Sequence, residues 1–160
     1  MFKLISTGIL ATSLSVVTGT AQADPKPDGA RTPSPASIEK IYSGKTVRWS
    51  GDCKGGIYLD AQSTAQSYCR KGNGSIGLGK WMVNRKASVC YEMTYYWPDG
   101  DSVGSKNVDR ECMNHVVDSK GRLWVNWDGQ SDWWPVTNER LVNGFEFKRP
   151  VSQMRGQLGV

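Results

Sequence analysis

The sequence has little of what metal sites, redox centres and membrane spans require. It contains a single histidine, His115, and no Cys-x-x-Cys pair. Zinc sites normally use closely spaced Cys and His ligands, and thiol redox centres use the Cys-x-x-Cys spacing, so we expect no metal and no cofactor. The longest apolar run, residues 4–17, is shorter than the ~20 residues of a membrane-spanning helix. No membrane span is therefore predicted.

A large excess of charge of one sign is also missing. The net charge is only +5 on 160 residues, and the basic side chains lie in scattered pairs such as Arg70-Lys71 and Lys148-Arg149. A nucleic-acid-binding domain is expected to concentrate basic residues in a stripe, ideally with aromatic residues between them. Nucleic acid is therefore not an expected partner. Hydrophobic residues make up 38% of the chain, which is enough for one globular domain.

The N-terminus has the three parts of a secretory signal peptide. Lys3 supplies a positive charge, residues 4–17 form the apolar region, and Ala21-Gln22-Ala23 is a small-x-small cleavage site. We predict that residues 1–23 are a signal peptide cleaved after Ala23. The protein is accordingly expected to be periplasmic or secreted.

The rest of the chain divides into three predicted segments. Residues 24–36 contain four of the seven prolines and are predicted to be a flexible, Pro-rich leader. Residues 37–150 are predicted to form a single β-domain. Residues 151–160, which follow Pro150, are predicted to be a frayed tail.

The four cysteines survive signal-peptide removal, and we expect them to form disulfides, the default state in an exported protein. Four cysteines allow three pairings, and the sequence alone does not choose among them. The residues concerned are Cys53, Cys69, Cys90 and Cys112.

The β-domain is predicted to begin with one short helix and to continue as strands. Ser34 is a suitable N-cap, Pro35 fits the first helical position, and Gly44 is a suitable end. Beyond Gly44, short apolar segments alternate with turn residues, and the clearest period-two pattern is residues 88–97. About seven to nine short strands at regular spacing predict a mainly β fold, an antiparallel barrel or sandwich.

The order of several short motifs resembles a family of small secreted proteins from rhizobia and related alphaproteobacteria, known as domain of unknown function 995. The motifs are Ile41-Tyr42-Ser43-Gly44-Lys45-Thr46-Val47-Arg48-Trp49, Gly55-Gly56-Ile57-Tyr58, Gly79-Lys80-Trp81-Met82-Val83, Cys90-Tyr91, Trp97, Cys112 and His115-Val116. The resemblance implies a fold and an extracytoplasmic location but no activity. It also favours a Cys90–Cys112 disulfide. Cys53 and Cys69 lie outside the shared pattern, and their pairing is a separate expectation.

The candidate for catalysis is His115, because its ordinary pKa of ~6.5 suits proton transfer. Glu111 precedes it by four residues on the same face of a predicted strand, and Asp118 follows closely. A small secreted hydrolase that uses His115 with one of these carboxylates is the alternative hypothesis. The opposing interpretation, a structural histidine bonded to a neighbouring loop, is favoured.

The tryptophans near the C-terminus are the stronger functional signal. Trp124 and Trp127 are an odd number of residues apart and must point to opposite faces of a strand, and the adjacent Trp133 and Trp134 must also diverge. Some of these rings are expected at the surface, where aromatic side chains provide contact area for a partner. With Asn126 and Asp128 they predict an aromatic rim that binds an envelope glycan, a peptide or a protein without catalysis. A third hypothesis is an inhibitor that acts on another protein through the polar segment 98–109.

Overall fold

The computed structural model describes residues 25–49 and 51–160, so the predicted signal peptide and its cleavage site lie outside the described residues. The chain folds as one sheet of nine antiparallel strands that curls into a half-barrel, with two helices against it. The predicted mainly β fold is confirmed, and the curled single sheet selects the barrel-like form over the sandwich. The elements are α1 (Pro35–Tyr42), β1 (Lys45–Arg48), β2 (Gly56–Leu59), β3 (Thr64–Cys69), β4 (Ser75–Val83), β5 (Val89–Asp99), β6 (Ser102–Val117), β7 (Leu123–Trp127), β8 (Trp134–Pro135), β9 (Leu141–Asn143) and α2 (Lys148–Leu158).

The strand order explains how the sheet is left open. Strands β1 to β8 follow one another as antiparallel neighbours, and β9 returns to pair with β1, which gives the order β8-β7-β6-β5-β4-β3-β2-β1-β9. Strands β8 and β9 are therefore the two outer strands, and they do not pair with each other in the described structure. We call the gap between them the seam.

The helix α1 closes the interior of the half-barrel, and its local sequence accounts for its bounds. The Ser34 hydroxyl accepts a hydrogen bond from the Ser37 backbone N–H at 3.2 Å, as an N-cap does. Pro35 stands at the start, and Gly44 ends the turn with φ +74°, as predicted. Ile38 and Tyr42 are fully buried on the helix face that packs against the concave side of the sheet.

The concave side holds the main core. Alternate residues of each strand point inward, and they bury large apolar side chains against α1. The buried members on the strands are Ile57, Leu59, Ala65, Trp81, Val89, Tyr91, Met93 and Met113. The glycine-rich segment 72–79 is mostly strand β4. A Cβ at Gly79 would collide with the Glu92 backbone carbonyl, so glycine lets β4 approach β5 closely.

The strand β6, Ser102–Val117, is 16 residues long. It pairs with β5 from Ser102 onward, and the pair is interrupted by a bulge between the positions opposite Tyr91 and Met93. Most of the polar segment 98–109 is thus part of a long hairpin. Polar cross-strand contacts such as Thr94 Oγ1 to Asn107 Oδ1, at 2.7 Å, replace the apolar alternation that identifies the other strands.

The predicted frayed tail is wrong, because residues 148–158 form the helix α2. Val151 and Met154 are buried against Ile76 of β4 on the convex side of the sheet, where they form a second apolar cluster. The spacing of Val151, Met154 and Leu158 places all three on one helix face. The apolar stripe docks the helix despite Pro150 within its first turn.

The Pro-rich leader is also partly anchored. Arg31 exchanges two backbone hydrogen bonds with Val117 of β6, at 3.0 and 2.8 Å. Lys26 Nζ lies 5.9 Å from the centre of the Trp133 ring. The segment therefore follows the surface of the domain instead of moving freely.

Two disulfides cross-link the sheet. One is the Cys90–Cys112 pair that the family resemblance favours, and the other is the separately expected Cys53–Cys69 pair. Cys90 and Cys112 are directly opposed on β5 and β6, with their Cα atoms 4.1 Å apart. Cys53, in the loop before β2, bonds to Cys69 at the end of β3, with the Cα atoms 4.9 Å apart. Neighbouring strands and turns bring each pair together.

Candidate functional site

The predicted catalytic residue, His115, is enclosed and fully hydrogen-bonded. Its side chain is 2% exposed on the concave side of β6. Nδ1 lies 3.1 Å from the Ala87 carbonyl, which can only accept, so Nδ1 carries the hydrogen. Nε2 then accepts from the Tyr42 hydroxyl at 2.7 Å. Burial lowers the pKa of His115 to about 4, so the ring is neutral at pH 7 and has no free lone pair for a substrate proton.

The carboxylate of Glu111 faces a different partner. It accepts a hydrogen bond from the Tyr91 hydroxyl at 2.7 Å. Burial, together with this bond to Glu111, raises the pKa of Tyr91 well above its usual range. Glu111 and His115 are four residues apart on one strand, which separates them by roughly 13 Å. They do not form an acid–base pair.

Asp118 organises the turn between β6 and β7. Its Oδ2 accepts from Arg122 Nε at 2.7 Å and from Trp124 Nε1 at 3.0 Å, while Oδ1 accepts the backbone N–H groups of Lys120 and Arg122. Burial alone would raise the pKa of Asp118, but these hydrogen bonds outweigh it and hold the pKa well below its usual range. Asp118 is thus a structural anion, and the three predicted catalytic residues are not brought together.

The predicted aromatic rim is divided between the two faces of the sheet. Trp124 lies on the convex side, is 6% exposed, and is covered by the Arg122 guanidinium 5.3 Å from the ring centre. Asn126, also buried there, donates to the Gln130 and Asp132 carbonyls at 2.8 and 2.9 Å and so fixes the turn after β7. These two residues serve the local structure.

The other members of the predicted rim are more accessible. Asp128 stands in the turn after β7, 3.5 Å from the Asn114 side-chain amide. Trp133 and Trp134 are half-buried, and each has a cationic side chain over its ring: Lys26 over Trp133, and Arg140 at 5.8 Å from the centre of Trp134. Trp127 alone of the four tryptophans lines the cavity described next.

A partly enclosed cavity lies inside the seam. It is a cavity of about 240 Å³ between β1 and β9 on one side and β7 and β8 on the other. Tyr42 and Met113 form its inner wall. Its lining is mainly apolar, from Tyr42, Val47, Trp49, Met113, Val125, Trp127, Pro135, Val136 and Leu141, and two arginines, Arg48 and Arg140, complete it.

The two arginines of the cavity differ in their partners. Arg48 is held by Glu146 through two hydrogen bonds, Nε to Oε2 at 2.7 Å and Nη2 to Oε1 at 2.6 Å, and it also reaches the Glu139 carbonyl at 3.2 Å. The bond to Glu146 raises the pKa of Arg48 and lowers that of Glu146. Arg140 has no carboxylate within 4.0 Å among the described residues.

The sequence contains only part of the signal for this cavity. Alternation places Val47 and Trp49 on one face of their strand, and both pack against the core. For Trp127 it predicts only a face opposite to that of Trp124, and the structure places Trp127 on the core side. Val136, Arg140 and Leu141 are missed. Arg140 and Leu141 reach the cavity only when β9 pairs back with β1, and Val136 is held beside β7 by the hydrogen bond from its N–H to the Leu123 carbonyl. No local pattern in residues 136–141 indicates that long-range pairing.

Nothing in the described ranges indicates a metal site or a membrane span. Residues 25–49 and 51–160 contain no group of three or more His, Cys, Asp or Glu side chains that could hold a metal ion. Neither α1 nor α2 has the length and apolarity that crossing a bilayer requires. In comparisons with known proteins, the model of a family described as proteins of unknown function, DUF995, matches residues 9–155. No curated protein and no solved structure matches the chain.

Proposed function

Because the chain belongs to the DUF995 family, for which no function is known, we propose a function from the geometry of the seam cavity. The protein is a periplasmic or secreted binding module without catalytic activity. It takes an apolar group of an envelope glycan, peptide or protein into the cavity. The observation that carries the proposal is an open cavity whose walls are mostly apolar and include the indole of Trp127.

The location rests on the cysteines. Both disulfides lie between elements of the sheet, and no cysteine is left free in the described structure. Such pairs persist in oxidising compartments. They agree with export by a signal peptide over residues 1–23.

Binding is supported over catalysis by the state of the polar residues. His115 uses both ring nitrogens, and Asp118 uses both carboxylate oxygens, in bonds within the fold. A general base needs a free lone pair within reach of a substrate proton. The hydrolase hypothesis therefore lacks its base.

The lining of the cavity indicates which part of the ligand is recognised. A sugar ring requires several hydrogen-bonding side chains around an aromatic platform. Most of the walls here are Val, Leu, Met and Pro around Trp127, the Tyr42 hydroxyl is already bonded to His115, and the other polar side chains are Arg48 and Arg140. An aliphatic or aromatic group of the ligand removes more of this apolar surface from water than a sugar ring does. Each Å² of apolar surface that is buried contributes about 25 cal/mol to the binding free energy. The apolar group is accordingly the anchor, and any glycan or peptide part lies outside the cavity.

The test is a matched pair of valine substitutions with a neutral apolar probe. Val136→Phe adds volume inside the cavity, whereas Val103→Phe adds the same volume on the β5–β6 hairpin, where Val103 is 44% exposed and away from the cavity. We expect 1-octanol to change the tryptophan fluorescence of the natural protein saturably. Val136→Phe should weaken octanol binding at least tenfold, and Val103→Phe should leave it within twofold.

Circular dichroism and urea unfolding establish that both variants fold. If octanol produces no saturable change in the natural protein, or if the two variants bind it equally well, the cavity is not the binding site and the proposal fails.

A further inference from the structure

The cavity has a charge asymmetry that its apolar walls do not explain. Its lining includes two arginines, and no acidic side chain lines it among the described residues. Glu146 neutralises Arg48. Glu139, the neighbour of Arg140 in the turn before β9, does not line the cavity and contributes its carbonyl to Arg48. One positive charge at the cavity is therefore left without a partner.

The backbone around Arg140 is fixed. Its N–H donates to the Thr137 carbonyl at 3.1 Å, and its carbonyl accepts from the Arg48 N–H at 2.7 Å. The Arg140 side chain is exposed, and its guanidinium lies 5.8 Å from the centre of the Trp134 ring, within cation–π distance. A guanidinium in this position retains its donors for a carboxylate or phosphate oxygen, which it binds with charge-assisted hydrogen bonds.

We propose that the ligand is an amphipathic anion, in which an acyl chain fills the seam cavity and an anionic group at its end pairs with Arg140. This inference rests on the proposed function. A cavity of about 150 Å³ binds benzene, so by the same ratio a cavity of about 240 Å³ holds roughly nine or ten carbon atoms. A medium-length acyl chain fits this size. A cationic amphiphile would place its charge beside an unpaired arginine and is rejected.

The experiment compares three eight-carbon probes of different charge. Octanoate, 1-octanol and octylammonium are titrated into the purified protein at low ionic strength and followed by tryptophan fluorescence and calorimetry. We expect octanoate to bind at least tenfold more tightly than octanol, and octylammonium to bind more weakly than octanol. Raising the salt concentration should weaken octanoate binding and leave octanol binding unchanged.

Two arginine variants assign the effect to the cavity. Arg140→Gln should reduce the ratio of octanoate affinity to octanol affinity from at least ten to about one. Arg149→Gln, an exposed change of the same kind on α2, should change neither. If octanol binds but octanoate binds no better, or if Arg140→Gln leaves the difference intact, the anionic part is overturned while the cavity proposal stands. If none of the probes binds, both proposals are overturned.

Discussion

The single histidine is best understood together with the tyrosine that it bonds. Tyr42 lines the seam cavity from α1, and its hydroxyl donates to Nε2 of His115. Burial raises the pKa of Tyr42 above its usual range and lowers that of His115, so both groups are neutral over the ordinary pH range. This pair connects α1 to β6 and fixes one wall of the cavity.

The lowered pKa of His115 makes stability depend on pH. Between about pH 6.5 and pH 4 the unfolded chain binds a proton at this residue and the folded chain does not, so stability falls as the pH drops through this window. Between pH 7 and pH 4.5, the free energy of unfolding of the natural protein should fall by about 2 kcal/mol more than that of a His115→Gln variant. Urea unfolding at the two pH values measures this difference. Equal losses in both proteins would contradict the assignment.

Trp124 shows which features of a single residue the sequence predicts and which it does not. The side chain of Trp124 could be assigned to the face opposite Trp127 by alternation, and the structure agrees. Its burial could not be predicted, because it depends on the Asp118 carboxylate and the Arg122 guanidinium, which reach Trp124 only after the β6–β7 turn forms. Trp124 is structural for that reason, and Asn126 is structural because its side chain donates to the Gln130 and Asp132 carbonyls.

At the level of elements, α2 is the least expected part of the fold. Its mean hydropathy is low, and Pro150 and Gly156 are poor helix formers, which is why a frayed tail was the natural expectation. The helix is stabilised by its contact with the convex face of the sheet, where Ile76, Val151 and Met154 form the buried cluster. Short helices in water generally depend on such packing.

Removing the buried methionine should test the docking of α2. Met154→Ala should destabilise the protein by about 2 kcal/mol, because it leaves a cavity against β4. Gln153→Ala, an exposed change on the same helix, should cost less than about 0.5 kcal/mol. Thermal unfolding of the two variants gives the comparison. Equal stability of the two would indicate that the helix is detached.

The strands show why some elements could be predicted and others could not. Strand β5 is identified by strict alternation because its inward residues, among them Val89, Tyr91 and Met93, enter the core. The first half of β6 extends beyond that core, so its residues are polar on both faces and resemble a loop. Segment 98–109, through which the inhibitor hypothesis would act, is strand and tight turn.

At the level of the whole molecule, the two disulfides act on separate regions of the sheet. Cys53–Cys69 closes a chain segment of 16 residues and Cys90–Cys112 one of 22 residues. In the chain-entropy account, loops of this length each contribute roughly 3 kcal/mol. Their similar lengths imply similar contributions.

Replacing each pair by serine measures these contributions. Cys53→Ser with Cys69→Ser, and Cys90→Ser with Cys112→Ser, should each lower the free energy of unfolding by about 3 kcal/mol in urea. Octanol binding should survive in the first variant, because neither Cys53 nor Cys69 lines the seam cavity. A loss of binding in that variant under folded conditions would place the site elsewhere.

The open seam also bears on aggregation. An outer strand normally presents unpaired N–H and C=O groups on which a second copy of the chain can add a strand. Here β8 is only Trp134–Pro135, and proline has no N–H to offer to an incoming strand. The β8 side of the seam is therefore a poor template for fibre growth.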